Sequence, residues 1–227
     1  MIKNIKKAFT LAEVLMVVMI IGVVATLTVP NLSNNINEDK TVTLLRSTIN
    51  QLDAAYAKVL SEYGSWGNAI RQDCASGASS TACGMDKVVS HLELRQNCRT
   101  STTACFVETM DDIDGSESDF EGCTYAFILA NGVSVCNLTN IDIDGPNKGP
   151  NRRGYDCFRI TNYQYNDGGG DESRIRPRMG AQGRIKSDGS IKNFDYDEYT
   201  EWAFSIGNMD YLRCADDLNW ITKHSCD

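Results

Sequence analysis

Residues 9–29 read FTLAEVLMVVMIIGVVATLTV, 21 positions in which Glu13 is the only ionisable side chain. At 1.5 Å per residue a helix of this length covers about 31 Å, close to the thickness of a bilayer's hydrocarbon core. The stretch therefore predicts a membrane-spanning helix. A charge at the centre of such a helix costs on the order of 2.5–3.5 kcal/mol, and less near an end. Glu13 stands near the start, where the cost is bearable, and an acid in that setting needs a positive partner at the same depth. Cutting the chain between Ala8 and Phe9 supplies one, because it places a new α-amino group four residues before Glu13 and makes the acid the fifth residue of the shortened chain.

The stretch KKAFTLAEVL at residues 6–15, with the apolar run that follows, resembles the N-terminus of type IV pilins and of the pseudopilins of type II secretion. In that family a short basic leader is removed by a dedicated membrane peptidase, which also methylates the new N-terminal residue. Carried onto this chain, residues 1–8 are the leader, with Lys3, Lys6 and Lys7 as its basic residues. Ala8–Phe9 is the cut, Phe9 the methylated end and Glu13 the acid that guides assembly. Gly22 and Pro30 match a recurrent helix glycine and helix-kinking proline. The leader ends in Ala8 where the family normally has glycine. The resemblance covers about residues 1–63 and implies a minor pilin or pseudopilin. Its implied partners are like subunits, the prepilin peptidase and methylase, an inner-membrane assembly platform and membrane lipid. It implies residence in a bacterial inner membrane with the head outside, then in a periplasmic or extracellular filament. An ordinary secretory signal peptide cut after Ala25 is the plainer reading, but the apolar run exceeds the usual 7–15 residues and gives Glu13 no purpose.

Beyond Pro30 the helical pattern continues. Val42, Leu45, Ile49, Leu52, Tyr56, Val59 and Tyr63 recur at spacings of three and four, one apolar stripe that Gly64 then ends. Pro30 lacks a backbone donor and predicts a kink or local melting near Asn31, Asn34 and Asn35. The chain thus divides into a leader at 1–8, an assembly helix at 9–29, its amphipathic continuation at 30–64 and a head at 65–227. The 163 residues of the head are enough for one core.

Without the three leader lysines the chain has 19 basic against 30 acidic residues, a balance of −11. Such a head is soluble and has no general affinity for nucleic acid or anionic lipid. All nine cysteines, Cys74, Cys83, Cys98, Cys105, Cys123, Cys136, Cys157, Cys214 and Cys226, lie in the head. With no C-x-x-C pair and only His91 and His224 beside them, they predict disulfides in an oxidising compartment rather than zinc. Connectivity stays open, although Cys74–Cys83, Cys98–Cys105 and Cys214–Cys226 each close a short loop, and the odd number leaves one thiol over.

CTYAFILANGVSVC, residues 123–136, sets Asn131-Gly132 between two β-rich runs and predicts a hairpin. YDCFRI at 155–160 adds a strand, while DKVVSHLELRQNC at 86–98 predicts a short helix. The expected fold is α+β: a long N-terminal helix, membrane-spanning in its first half and amphipathic in its second, packed on a small antiparallel sheet with disulfide-closed loops. Asp112 and Asp114, and again Asp142 and Asp144, begin calcium-loop patterns. The first has Glu117 where an EF-hand requires glycine and Cys123 where it requires an acid; Pro146 breaks the second. Solvated loops are the simpler reading, and no other cofactor is indicated. Arg174, Arg176 and Arg178 alternate, with Arg184 and Lys186 following. They form either a polyanion-binding face, as DNA uptake requires, or ordinary ion pairs with Asp195, Asp197 and Glu198. The acidic balance favours ion pairs over DNA. No nucleophile elbow, H-E-x-x-H or P-loop is present, so the chain reads as a filament subunit and not an enzyme. The alternative is a secreted or single-span membrane-anchored binding domain with no filament role.

Overall fold

The computed structural model describes residues 11–71, 80–117, 122–165, 172–177, 189 and 196–226, with the backbone alone at 22–36 and at some positions of other elements. Two compact units divide the chain, Met1–Lys40 and Thr41–Asp227. Helix α1, Leu11–Tyr63, contributes to both. Its backbone is helical through Pro30, Asn31, Asn34 and Asn35.

The first part of α1 corrects the expectation of a membrane-spanning helix. Among the described residues, no helix is long and apolar enough to cross a membrane. The apolar segment with described side chains runs over residues 11–21.

The second part of α1 is the spine of the head. Val42, Leu45, Ile49, Leu52, Tyr56 and Val59 are each at most 4% exposed, and Tyr63 packs partly buried beside them. No glycine or proline falls between Asn31 and Tyr63, so nothing interrupts the backbone ladder. Gly64 ends the helix with φ +76°, its N–H donating to the Leu60 carbonyl at 2.7 Å. Only glycine takes that left-handed conformation without a steric penalty.

Two short helices follow, α2 (Trp66–Arg71) and α3 (Ser80–Val89), and then six strands. The strands are β1 (Leu94–Arg99), β2 (Ala126–Leu129), β3 (Ser134–Cys136), β4 (Asn140–Asp142), β5 (Cys157–Tyr165) and β6 (Glu172–Pro177). They pair antiparallel in chain order. Helices α4 (Tyr196–Ser205) and α5 (Tyr211–Cys214) follow the sheet. The expected hairpin is β2–β3: Gly132 sits at φ +92° and the Asn131 Oδ1 accepts the Val133 N–H at 3.1 Å. The expected helix over 86–98 is corrected, because only its start is helical and residues 94–99 form the edge strand β1. Pairing with β2 decides this against a weak local pattern.

Strand alternation sorts the sheet into two faces. Phe127, Leu129, Val135, Ile141, Phe158 and Ile160 join the α1 stripe in one core. Ala126, Ile128, Cys136 and Cys157 point the other way, into a smaller core with Cys105, Phe106, Val107 and Met110. At the far edge, Asp53 of α1 accepts the Ile175 N–H at 2.9 Å and the Arg174 guanidinium at 2.7 Å. Arg46 binds the terminal carbonyls of α4, Phe204 at 2.6 Å and Ser205 at 3.0 Å.

Leu52 is fully buried in the α1 stripe. Leu52→Ala should destabilise the head by about 2–5 kcal/mol in denaturant unfolding with the disulfides intact. A loss under about 1 kcal/mol would show that the stripe does not seat the sheet.

Candidate functional site

Three groups of residues carry chemical information. The first is the start of α1. Leu11, Val14, Leu15, Met16, Val17, Val18, Met19, Ile20 and Ile21 are between 49% and 79% exposed, on every side of the helix. An apolar surface on all faces of a helix requires cover by other apolar groups. Glu13 lies within this segment, exposed and in the first turn. There its charge is favoured by the helix dipole. Ala8 and Phe9 lie outside the described residues. Gly22 and Pro30 fall inside α1 where the backbone alone is described.

The cysteines form the second group. Cys98–Cys105 and Cys214–Cys226 are disulfides, as their spacing suggested. Cys123–Cys136 is a third and ties the 102–123 segment to β3. Cys83 is also disulfide-bonded, while Cys74, its expected partner, lies outside the described residues. Cys157 is free and fully buried on β5. Burial, and then the Asp142 carboxylate, push its thiol well above the ordinary cysteine range. A thiol held protonated in this way is a poor nucleophile.

The third group is acidic. Asp111 forms a parallel bridge with Arg152, its N–H donating to the Asn151 carbonyl at 3.0 Å. Asp112 is spent on Arg153, at 3.1 Å. The Asp114 Oδ1 accepts both the N–H and the hydroxyl of Ser116. Those bonds hold the Asp114 carboxyl below its usual range. Asp142 differs: it is fully buried, and burial together with the Asp144 charge raises its carboxyl to about 7. Burial also raises Asp156, although that side chain accepts the N–H groups of Asn151 at 2.8 Å and Arg152 at 2.6 Å. Asp156 was not legible as a member of this group, because it lies 12 residues beyond Asp144 in the chain and is brought back only by the folded loop. Among the described residues, no three Asp, Glu, His or Cys side chains come together as a metal-ligand group.

Of the basic cluster, Arg174 pairs with Asp53 of α1. Arg176 lies on β6, whereas Arg178, Arg184, Lys186 and Asp195 lie outside the described residues. His91 follows α3, with Nε2 3.4 Å from Glu62, and a ring nitrogen of His224 is 2.8 Å from the Trp220 carbonyl.

No family model, no curated protein and no solved structure matches the chain.

Cys157 should resist iodoacetamide at pH 8 in the folded, oxidised protein and react fully in denaturant, as read by peptide mass spectrometry. Labelling of the native protein at the rate of a free thiol would contradict its burial.

Proposed function

We propose that the chain is a structural subunit of a type IV pilus or type II secretion pseudopilus, a minor pilin or pseudopilin, assembled through its N-terminal helix. In this reading the chain is cut between Ala8 and Phe9 by a prepilin peptidase, which methylates Phe9. The mature end then joins like subunits with the help of an assembly platform.

The observation that carries the reading is the start of α1, apolar on every side and interrupted by one acid at position 13. Like helices side by side cover such a surface well, since each presents apolar side chains in every direction. A carboxylate buried among them is unfavourable unless a positive charge meets it. The Phe9 amine of a neighbouring subunit supplies that charge. Glu13 then acts as a registry device, because a misplaced subunit leaves two charges without partners in an apolar setting. The disulfides fit a head that matures outside the cytoplasm, where such bonds persist. The acidic balance of the chain keeps heads apart in solution and leaves association to the helix.

Glu13→Ala should leave cleavage intact and reduce incorporation into sheared filaments by roughly tenfold or more, because the neighbour's amine then has no partner. The measurement is the ratio of filament-borne to total processed subunit in cells. Normal incorporation of this variant would overturn the assembly role of Glu13, and unaltered abundance outside any filament would favour a secreted binding domain.

A further inference from the structure

We propose that the disulfides of the head form in the order in which the chain emerges, by dithiol oxidation alone, and that the fold encloses Cys157 before Cys214 arrives, so that no disulfide isomerase is needed. The proposal rests on the reading that the head matures outside the cytoplasm, which the filament and secreted-domain alternatives share.

Its first basis is connectivity. Each of the three described bonds joins cysteines that follow one another in the chain: Cys98 with Cys105, Cys123 with Cys136 and Cys214 with Cys226. A chain delivered from its N-terminal end presents such pairs one after another. In each step a thiolate attacks the disulfide of a protein carrier, and the second thiol displaces the carrier from the mixed disulfide. The head loses two protons and two electrons per bond, and the carrier leaves as a dithiol.

The order is ambiguous at one place. Cys157 is free, and it emerges between Cys136 and Cys214. Joined by order of arrival alone, it would take Cys214 and leave Cys226 over. Chain statistics do not prevent such errors by themselves. Closure falls as roughly the 3/2 power of loop length, so in an unfolded chain Cys136 favours Cys123, 13 residues away, over Cys157, 21 residues away, by only about twofold. Cys214 favours Cys226, 12 residues away, over Cys157, 57 residues away, by about tenfold, but only once Cys226 has arrived.

The fold removes the ambiguity, because the surroundings of Cys157 precede it in the chain. Its strand partner is Asp142, its N–H donates to the Arg152 carbonyl at 3.1 Å, and its carbonyl accepts the Gly154 N–H at 2.9 Å. The small core that buries it is drawn from residues between 98 and 136, and no member of that core lies beyond Cys157. Cys214 comes 57 residues later, about 3–11 s at synthesis rates of about 5–20 residues per second. Hairpins form in microseconds and β-rich domains in milliseconds to seconds, so enclosure has time to come first. Once enclosed, Cys157 is held protonated by burial and then by the Asp142 charge, and a protonated thiol does not attack a disulfide. Cys214 packs against the other core, that of the α1 stripe, on the opposite face of the sheet. Cys226 is seated beside it, its N–H donating to Asp210 at 3.1 Å.

The test exports the full chain in three otherwise identical bacterial strains: a parent, one without its periplasmic dithiol oxidase and one without its disulfide isomerase. Thiols are trapped with N-ethylmaleimide in denaturant, and the bonds are mapped by peptide mass spectrometry without reduction. The strain without isomerase should keep all three native bonds at the parent's level, with Cys157 trapped as a thiol. The strain without oxidase should lose most of them. Phe106→Ala, which opens the core over Cys157, should yield bonds from Cys157 to Cys136, Cys214 or Cys226 in the strain without isomerase, and adding Cys157→Ser should restore the native set. Val107→Ala opens the same core more mildly and serves if Phe106→Ala does not accumulate. Bonds to Cys157 in the unaltered chain without isomerase, a native set that persists in full without the oxidase, or no bonds to Cys157 in either core variant would overturn the proposal. A head without disulfides in the parent strain would overturn the reading of export on which it rests, and the proposal with it.

Discussion

Everything in the head depends on one interface, the apolar stripe of α1 against the inner face of the sheet. Leu45, Ile49, Leu52 and Tyr56 share a core with Phe127, Leu129, Val135, Ile141, Phe158 and Ile160, all essentially inaccessible to water. The sheet is a plain antiparallel meander with short strands, some only three residues long. Strands so short gain little from pairing alone and need a packed face to persist. The helix supplies that face, and polar ties fasten both ends of the arrangement: Asp53 holds β6 and Arg46 holds the end of α4.

The opposite face of the sheet is stabilised by other means. Its core is small, and cross-links compensate. The Cys98–Cys105 and Cys123–Cys136 bonds clamp the 102–123 segment over Cys136 and Cys157. Disulfides stabilise by narrowing the unfolded ensemble, so they serve best where burial is limited. The same face carries Ser134 and Asp142, polar groups placed in the sheet at a cost that burial does not repay.

Local features of the sequence carried much of the fold. The stripe from Val42 to Tyr63, its stop at Gly64, the Asn131-Gly132 hairpin and two short disulfide loops all rest on spacings within a dozen residues. What escaped was set by distant partners. Residues 94–99 become a strand because β2 lies beside them, and the polar sequence ESRIRP becomes β6 because β5 offers a long edge and Asp53 anchors it from 122 residues away. Ser134 and Asp156 join Asp142 only through cross-strand register and a folded loop, neither of which has a signature in the chain itself. The membrane-spanning expectation is not met, since among the described residues no helix is long and apolar enough to cross.

The account of the N-terminal helix as an assembly device turns on a covalent fact. The most direct measurement is the intact mass and N-terminal sequence of the protein recovered from its native source. The account predicts a chain that begins at N-methylated Phe9, four residues before Glu13. A chain that begins at Thr26, or one that retains residues 1–8, would contradict it, because neither presents an amine where the acid of a neighbouring subunit can meet it.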